Sequence, residues 1–189
     1  MTPFVQFVTA VFSLGVIAGQ IFIVAVIADL LILGKAKRSS KNISAFASKH
    51  ILGLGLFINI VAILVSLFYS FVVGFEPCTL CWWQRILMFP QLVLFATALY
   101  YKRRHGLRYP MVLATSAILS VIGLLVGAYQ YYAQMFNPSL LAACAASGPS
   151  CAKIFFTTFG YITIPMMSLT GFAFILVILA ARYFVPHEN

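Results

Sequence analysis

Five long apolar runs, each separated from the next by a short charged or turn-rich stretch, constrain this chain more than any other feature. They are roughly Phe4–Leu33, Ile51–Gly74, Trp82–Tyr101, Met111–Ala133 and Tyr161–Phe184. A helix rises about 1.5 Å per residue, so about 20 apolar residues cross the roughly 30 Å hydrocarbon core of a bilayer. Every run reaches that length. Without water, backbone N–H and C=O groups must be satisfied inside the segment, which makes each run a helix. Composition points the same way: 63% of the 189 residues are hydrophobic, 8% are charged, and mean hydropathy is +1.04. Soluble domains carry about 25% charged residues, and three acids with twelve bases cannot furnish such a surface. Disorder is excluded by the wealth of apolar and aromatic residues. The sequence therefore predicts an all-α membrane protein. A four-helix transmembrane core spans 51–184 with outer loops 75–81 and 134–160, and one extra N-terminal transmembrane helix occupies 1–34. The first run lacks the basic leader and short apolar core of a secretory signal, so it reads as a genuine span.

The net charge of +9 raises the question of nucleic acid, and the placement of the bases answers it. Lys35, Lys37, Arg38, Lys41 and Lys49 lie between the first two runs, and Lys102, Arg103, Arg104 and Arg108 between the third and fourth. That is the distribution of cytoplasmic loops under the positive-inside rule. A nucleic-acid surface would interleave bases with aromatics on one folded face, so no nucleic-acid partner is expected. Five alternating spans put both basic loops and Arg182 on the cytoplasmic side. The N-terminus, Phe75–Cys81 and Gln134–Gly160 then lie outside.

Within the spans, Gly15/Gly19 and Gly123/Gly127 are spaced for close helix packing, and Pro90 and Pro165 are expected to kink their helices. Asp29 reads as an interfacial charge, and His50, His105 and His187 as solvated groups at the cytoplasmic ends.

All four cysteines fall on the outer side: Cys78 and Cys81 in one loop, Cys144 and Cys151 in the other. An even count on an exported face points to disulfides. As staples, a four-residue and an eight-residue loop would contribute only about 2 and about 2.5 kcal/mol, little use to a bundle already held by its spans. Pairing between the loops would staple better, and spacing alone leaves it open. The context of the first pair favours chemistry. Pro77-Cys78-Thr79-Leu80-Cys81 runs straight into a span, with Pro77 suited to the first helical position and helix-start amides favouring a thiolate. Arg85 lies one turn deeper on the face of Cys81, where a guanidinium adds positive potential and donates to a bound carbonyl. Trp82 and Trp83 suit an interfacial belt or a pocket wall. Around the second pair, Gly148 and Pro149 predict an exposed, mobile disulfide open to attack by a partner's thiolate. Phe155, Phe156 and Phe159 are expected to hold that segment to the membrane surface. Zinc is disfavoured because only one pair has the short spacing of a structural site and the compartment favours oxidation; no metal is expected.

The stretch Cys78-Thr-Leu-Cys-Trp-Trp-Gln-Arg-Ile-Leu-Met-Phe-Pro90 resembles the disulfide bond formation protein B family, in particular its Gram-positive-type branch. The resemblance runs from about residue 51 to 184 and leaves the first span extra. It implies a membrane thiol:quinone oxidoreductase that reoxidises an exported thioredoxin-like dithiol oxidase and passes electrons to ubiquinone or menaquinone, in the bacterial cytoplasmic (inner) membrane. Carried over by position, Cys144 forms the mixed disulfide with the partner and Cys151 exchanges with Cys78. Cys81 acts on the quinone, and Arg85 holds a quinone oxygen. A partner near about −120 mV needs an acceptor more oxidising still, which a quinone is and glutathione is not. Two other readings are a vitamin K epoxide reductase-like enzyme, whose active Cys-x-x-Cys comes late in the bundle, and a non-enzymatic membrane protein with two structural disulfides.

Overall fold

The computed structural model describes residues 2–33, 43–105, 109–145 and 149–184. Of the residues discussed above, Lys35, Lys37, Arg38, Lys41, Arg108, Gly148 and His187 lie outside the described residues. In chain order the helices are α1 (Pro3–Leu33), α2 (Ile43–Lys49), α3 (Ile51–Leu67), α4 (Thr79–His105), α5 (Pro110–Phe136), α6 (Ala142–Ala145) and α7 (Ile164–Phe184). A π-helical turn, Phe68–Val72, extends α3, and a 3₁₀ turn, Pro138–Leu141, follows α5. Among the described residues, α1, α3 with its π turn, α5 and α7 are long and apolar enough to cross a membrane. The remaining expected span forms the 27-residue α4, longer than expected at both ends. Its Gln84, Arg85 and Gln91 dilute its apolar character, and it is flanked by α3 and α5.

Helices α3, α4, α5 and α7 pack as a closed ring, each against the next, and α1 lies outside it along α7. The ring closes tightly where glycine admits a neighbour's ring. A Cβ on Gly123 would stand 2.4 Å from Phe172, and one on Gly55 2.6 Å from Phe95. Phe95, Phe172, Ile175 and Ile178 are fully buried at the centre, while Phe57, Leu64, Ile86, Val93, Ile118 and Leu125 stay exposed on the outer faces, as a lipid-facing surface requires. Polar side chains point inward and tie helices together: Ser120 Oγ donates to Gln91 Oε1 at 3.1 Å and Gln84 Nε2 to Gln130 Oε1 at 2.8 Å.

Several local expectations change. Pro165 sits in the first turn of α7, where its missing N–H is harmless, so it starts the helix instead of kinking it. The last helix begins at Ile164, because Tyr161 and Ile162 belong to a turn closed by the Thr158–Ile162 bridge. Gln134 is helical, since α5 runs on to Phe136. Asp29 accepts from the backbone N–H and hydroxyl of Ser44 at 3.0 and 2.5 Å, fastening α2 to the end of α1. Gly127 packs on Leu169 as its spacing predicts, and Gly19 faces Thr170, but a Cβ on Gly15 would meet nothing within 4 Å among the described residues. Gly15 therefore borders open space, not a helix contact.

Candidate redox site

The start of α4, the end of α5, α6 and the segment before α7 bring all four cysteines into one cluster with Ala133 and Leu141. Cys78 precedes α4 and its carbonyl accepts the helix's first hydrogen bond, from Trp82 N–H at 3.0 Å. Pro77 therefore stands before the cap, not at the first helical position. The Cys78 and Cys81 sulfurs are 3.1 Å apart, a hydrogen-bonded thiol pair. With Cys81 donating, the Cys78 thiol is held below the usual thiol range, against an opposing push from burial and from Cys151.

The second pair departs from expectation. Cys151 is 1% exposed, packed beside Cys78, and not displayed on a mobile loop. Its thiol interacts with Cys144 on one side and Cys78 on the other, and burial pushes it up. Cys144 is half-buried. The order in space is thus Cys144, Cys151, Cys78, Cys81. Gln134 fixes this arrangement by donating from Nε2 to the Cys151 carbonyl at 2.6 Å. The phenylalanines also act differently from expectation. Phe155 stacks on Phe75 with centroids 4.3 Å apart, and Phe156 packs on Tyr69 at 5.1 Å, so they clamp the segment before α7 to the one before α4 and to the π turn. Phe159 is exposed, with φ of 53°.

Gln130 was missed by sequence reasoning. Its Nε2 lies 3.4 Å from the Cys78 sulfur and 3.6 Å from that of Cys81, and its Oε1 is held by Gln84. Gln130 and Gln134 are one turn apart in a largely apolar span, on the same buried side as Ser116 and Ser120. Two amides at that spacing mark an inward face, and that signal was available.

Arg85 donates from Nε to Ser66 Oγ at 2.8 Å and from Nη2 to the Ser66 carbonyl at 3.0 Å and to Ser70 Oγ. Its guanidinium also lies 5.3 Å from the Trp82 ring centroid. Among the described residues Nη1 has no hydrogen bond. The serines come from α3 and its π turn, a wide-turn geometry that recurs at functional sites. Arg85 and Cys81 face a cavity of about 400 Å³ whose other walls are largely apolar, Met88, Met167 and Phe174 among them, with Glu76, Gln84, Ser168 and Thr170 also on its lining.

The family model described as disulfide bond formation protein DsbB matches residues 48–182. The chain belongs to this family. It is 33% identical over 128 residues to probable disulfide formation protein C 2 of Bacillus anthracis, covering 68% of this chain and 86% of that protein. It is 36% identical over 119 residues to the SPbeta prophage-derived disulfide bond formation protein B of Bacillus subtilis strain 168, covering 63% of this chain and 76% of the relative. A probable disulfide formation protein of Oceanobacillus iheyensis is 38% identical over 115 residues, 60% of this chain and 74% of its own. No solved structure matches. Family membership makes this a multi-pass membrane protein of disulfide formation, and the matched residues leave out α1.

Proposed function

We propose that this protein is a thiol:quinone oxidoreductase of the bacterial cytoplasmic membrane, with its N-terminus and cysteines outside and its C-terminus cytoplasmic. It reoxidises an exported thioredoxin-fold dithiol oxidase. The observation that carries this reading is the line of four sulfurs that starts at half-buried Cys144 and ends with Cys81 at a cavity beside Arg85.

The partner's thiolate attacks Cys144 of a Cys144–Cys151 disulfide and frees Cys151. Cys151 attacks Cys78 of a Cys78–Cys81 disulfide and releases Cys81. The partner's second thiol then displaces Cys144, which reforms its bond to Cys151 and leaves Cys78 and Cys81 as a dithiol. The partner has become a disulfide and its two electrons and two protons reside on Cys78 and Cys81. The cavity suits a quinone head and the start of its tail: it lies in the size range of ligand pockets, its walls are largely apolar, and its two charged lining residues, Arg85 and Glu76, stand at the end near Cys81. Cys78 and Cys81 would return to their disulfide by giving up these two electrons and two protons, which a quinone held beside Arg85 would take up. Arg85, oriented by Ser66 and Ser70, aims its Nη1 protons at the oxygen where negative charge develops. Gln130 donates toward both sulfurs of the inner pair.

The test is turnover of detergent-purified protein with excess reduced thioredoxin-fold oxidase and a soluble quinone analogue, followed by loss of quinone absorbance. Quinone reduction is expected, abolished by Cys81→Ser and weakened by Arg85→Ala. Absence of turnover with any dithiol partner, in folded protein with intact disulfides, would overturn the proposal.

A further inference from the structure

Helix α1 lies beyond the residues that the family model matches, yet it borders the cavity that Cys81 and Arg85 face. Val11, Phe12, Gly15, Val16 and Gly19 form one of its walls. Both ends of this stretch are latched. Thr9 Oγ1 accepts from Tyr69 Oη at 3.2 Å, joining α1 to the π turn. Gln20 donates to Thr170 Oγ1 at 3.2 Å and accepts from Tyr161 Oη at 2.7 Å, joining it to α7 and to the segment before it. Between the latches, Gly15 faces open space. Val11, Phe57 and Val61 line the cavity and are at the same time exposed on the outer surface of α1 and α3. The cavity thus has an apolar mouth between α1 and α3 at a lipid-facing surface, and a polar end at Arg85, Ser66 and Ser70.

We propose that α1 is the fourth wall of the acceptor site, and that the mouth between α1 and α3 admits the polyprenyl tail of the quinone from the bilayer while the head sits at Arg85. This rests on the quinone-linked reading above and adds to it a residue-level role for the extra helix. Gly15 keeps the passage open: any larger side chain there projects into the space the tail occupies. An apolar tail entering from lipid loses nothing by desolvation, so the fit of the walls decides which acceptor is held.

The experiment compares Gly15→Leu and Val16→Phe, which fill the passage, with Leu14→Phe, which adds bulk to an exposed position on the same helix. Three quantities are read on each purified protein. They are the quinone retained through purification per mole of protein, KM for a long-tailed quinone, and the quinone-free single-turnover exchange of Cys144–Cys151 with a reduced thioredoxin-fold oxidase. Both filling variants are expected to lose at least tenfold in retained quinone and to raise KM by about tenfold, with single-turnover exchange unchanged and Leu14→Phe like the parent. If the parent retains and reduces quinone and the filling variants do so equally well, α1 is not a wall of the site. Loss of exchange in step with quinone would show a general distortion and also overturn the assignment. If the parent itself neither retains nor reduces quinone, the underlying reading falls and this inference with it.

Discussion

Gln130→Leu separates the chemistry of the inner thiol pair from the stability of the bundle. The side chain is 1% exposed and makes two kinds of contact: it accepts from Gln84 and donates toward the sulfurs of Cys78 and Cys81. Leucine is similar in bulk, so the cavity term is small. Losing the acceptor strands the Gln84 amide in an apolar interior, at about 1–3 kcal/mol, which lowers Tm by about 2–4 °C per kcal/mol for a chain of this size. Losing the donor removes a hydrogen bond to a thiolate. Such bonds are worth about 1.5–3 kcal/mol, and N–S distances of 3.4 and 3.6 Å put this one at the lower end. About 1.5 kcal/mol corresponds to roughly a tenfold slower thiolate reaction. The assay is site-resolved alkylation of Cys78 by iodoacetamide in the reduced protein at pH 7, alongside thermal unfolding in detergent. Adding Gln84→Leu removes the stranded donor, so the double variant regains thermal stability while its alkylation stays slow. If Gln130→Leu alkylates within twofold of the parent while still unfolding cooperatively, or if the double variant recovers its rate, Gln130 does not tune the pair.

The lowered Cys78 thiol predicts alkylation that persists below the pH at which an ordinary cysteine has become protonated, with a midpoint that moves upward in Cys81→Ala, since the S–H donor is the largest cause of the shift; a pH–rate profile reads both. Gly123→Ala places a Cβ 2.4 Å from the Phe172 ring and is expected to cost about 1–3 kcal/mol by overpacking. Phe172→Leu in the same chain should restore part of the thermal stability. Arg85→Lys keeps the charge but loses the planar fork that grips Ser66 and Ser70; KM for quinone is expected to rise about tenfold, the worth of one charge-assisted hydrogen bond of about 1.5 kcal/mol, with single-turnover thiol exchange unchanged.

Much was legible in the residues themselves. Apolar length alone specifies helices in a bilayer, because no other open structure satisfies the backbone there, and the five runs became α1, α3, α4, α5 and α7. The Cys78–Pro90 stretch carried the family, since thirteen residues at fixed spacing around two cysteines and an arginine are hard to meet by chance. Local order also placed Arg85 a turn below Cys81, as helical periodicity demands.

Tertiary structure decided what periodicity cannot express. Whether Cys151 is exposed depends on what covers it. Here Gln134, the Phe155 stack on Phe75 and the Phe156 contact with Tyr69 draw its segment inward beside Cys78, although Gly148 and Pro149 read as a mobile loop. The small residues of α1 illustrate the same limit. Gly15 and Gly127 each belong to a small-xxx-small pair, yet one faces open space and the other packs on Leu169. Helix spacing tells which residues share a face. Only the placement of the neighbouring helix tells whether that face meets a side chain or a cavity.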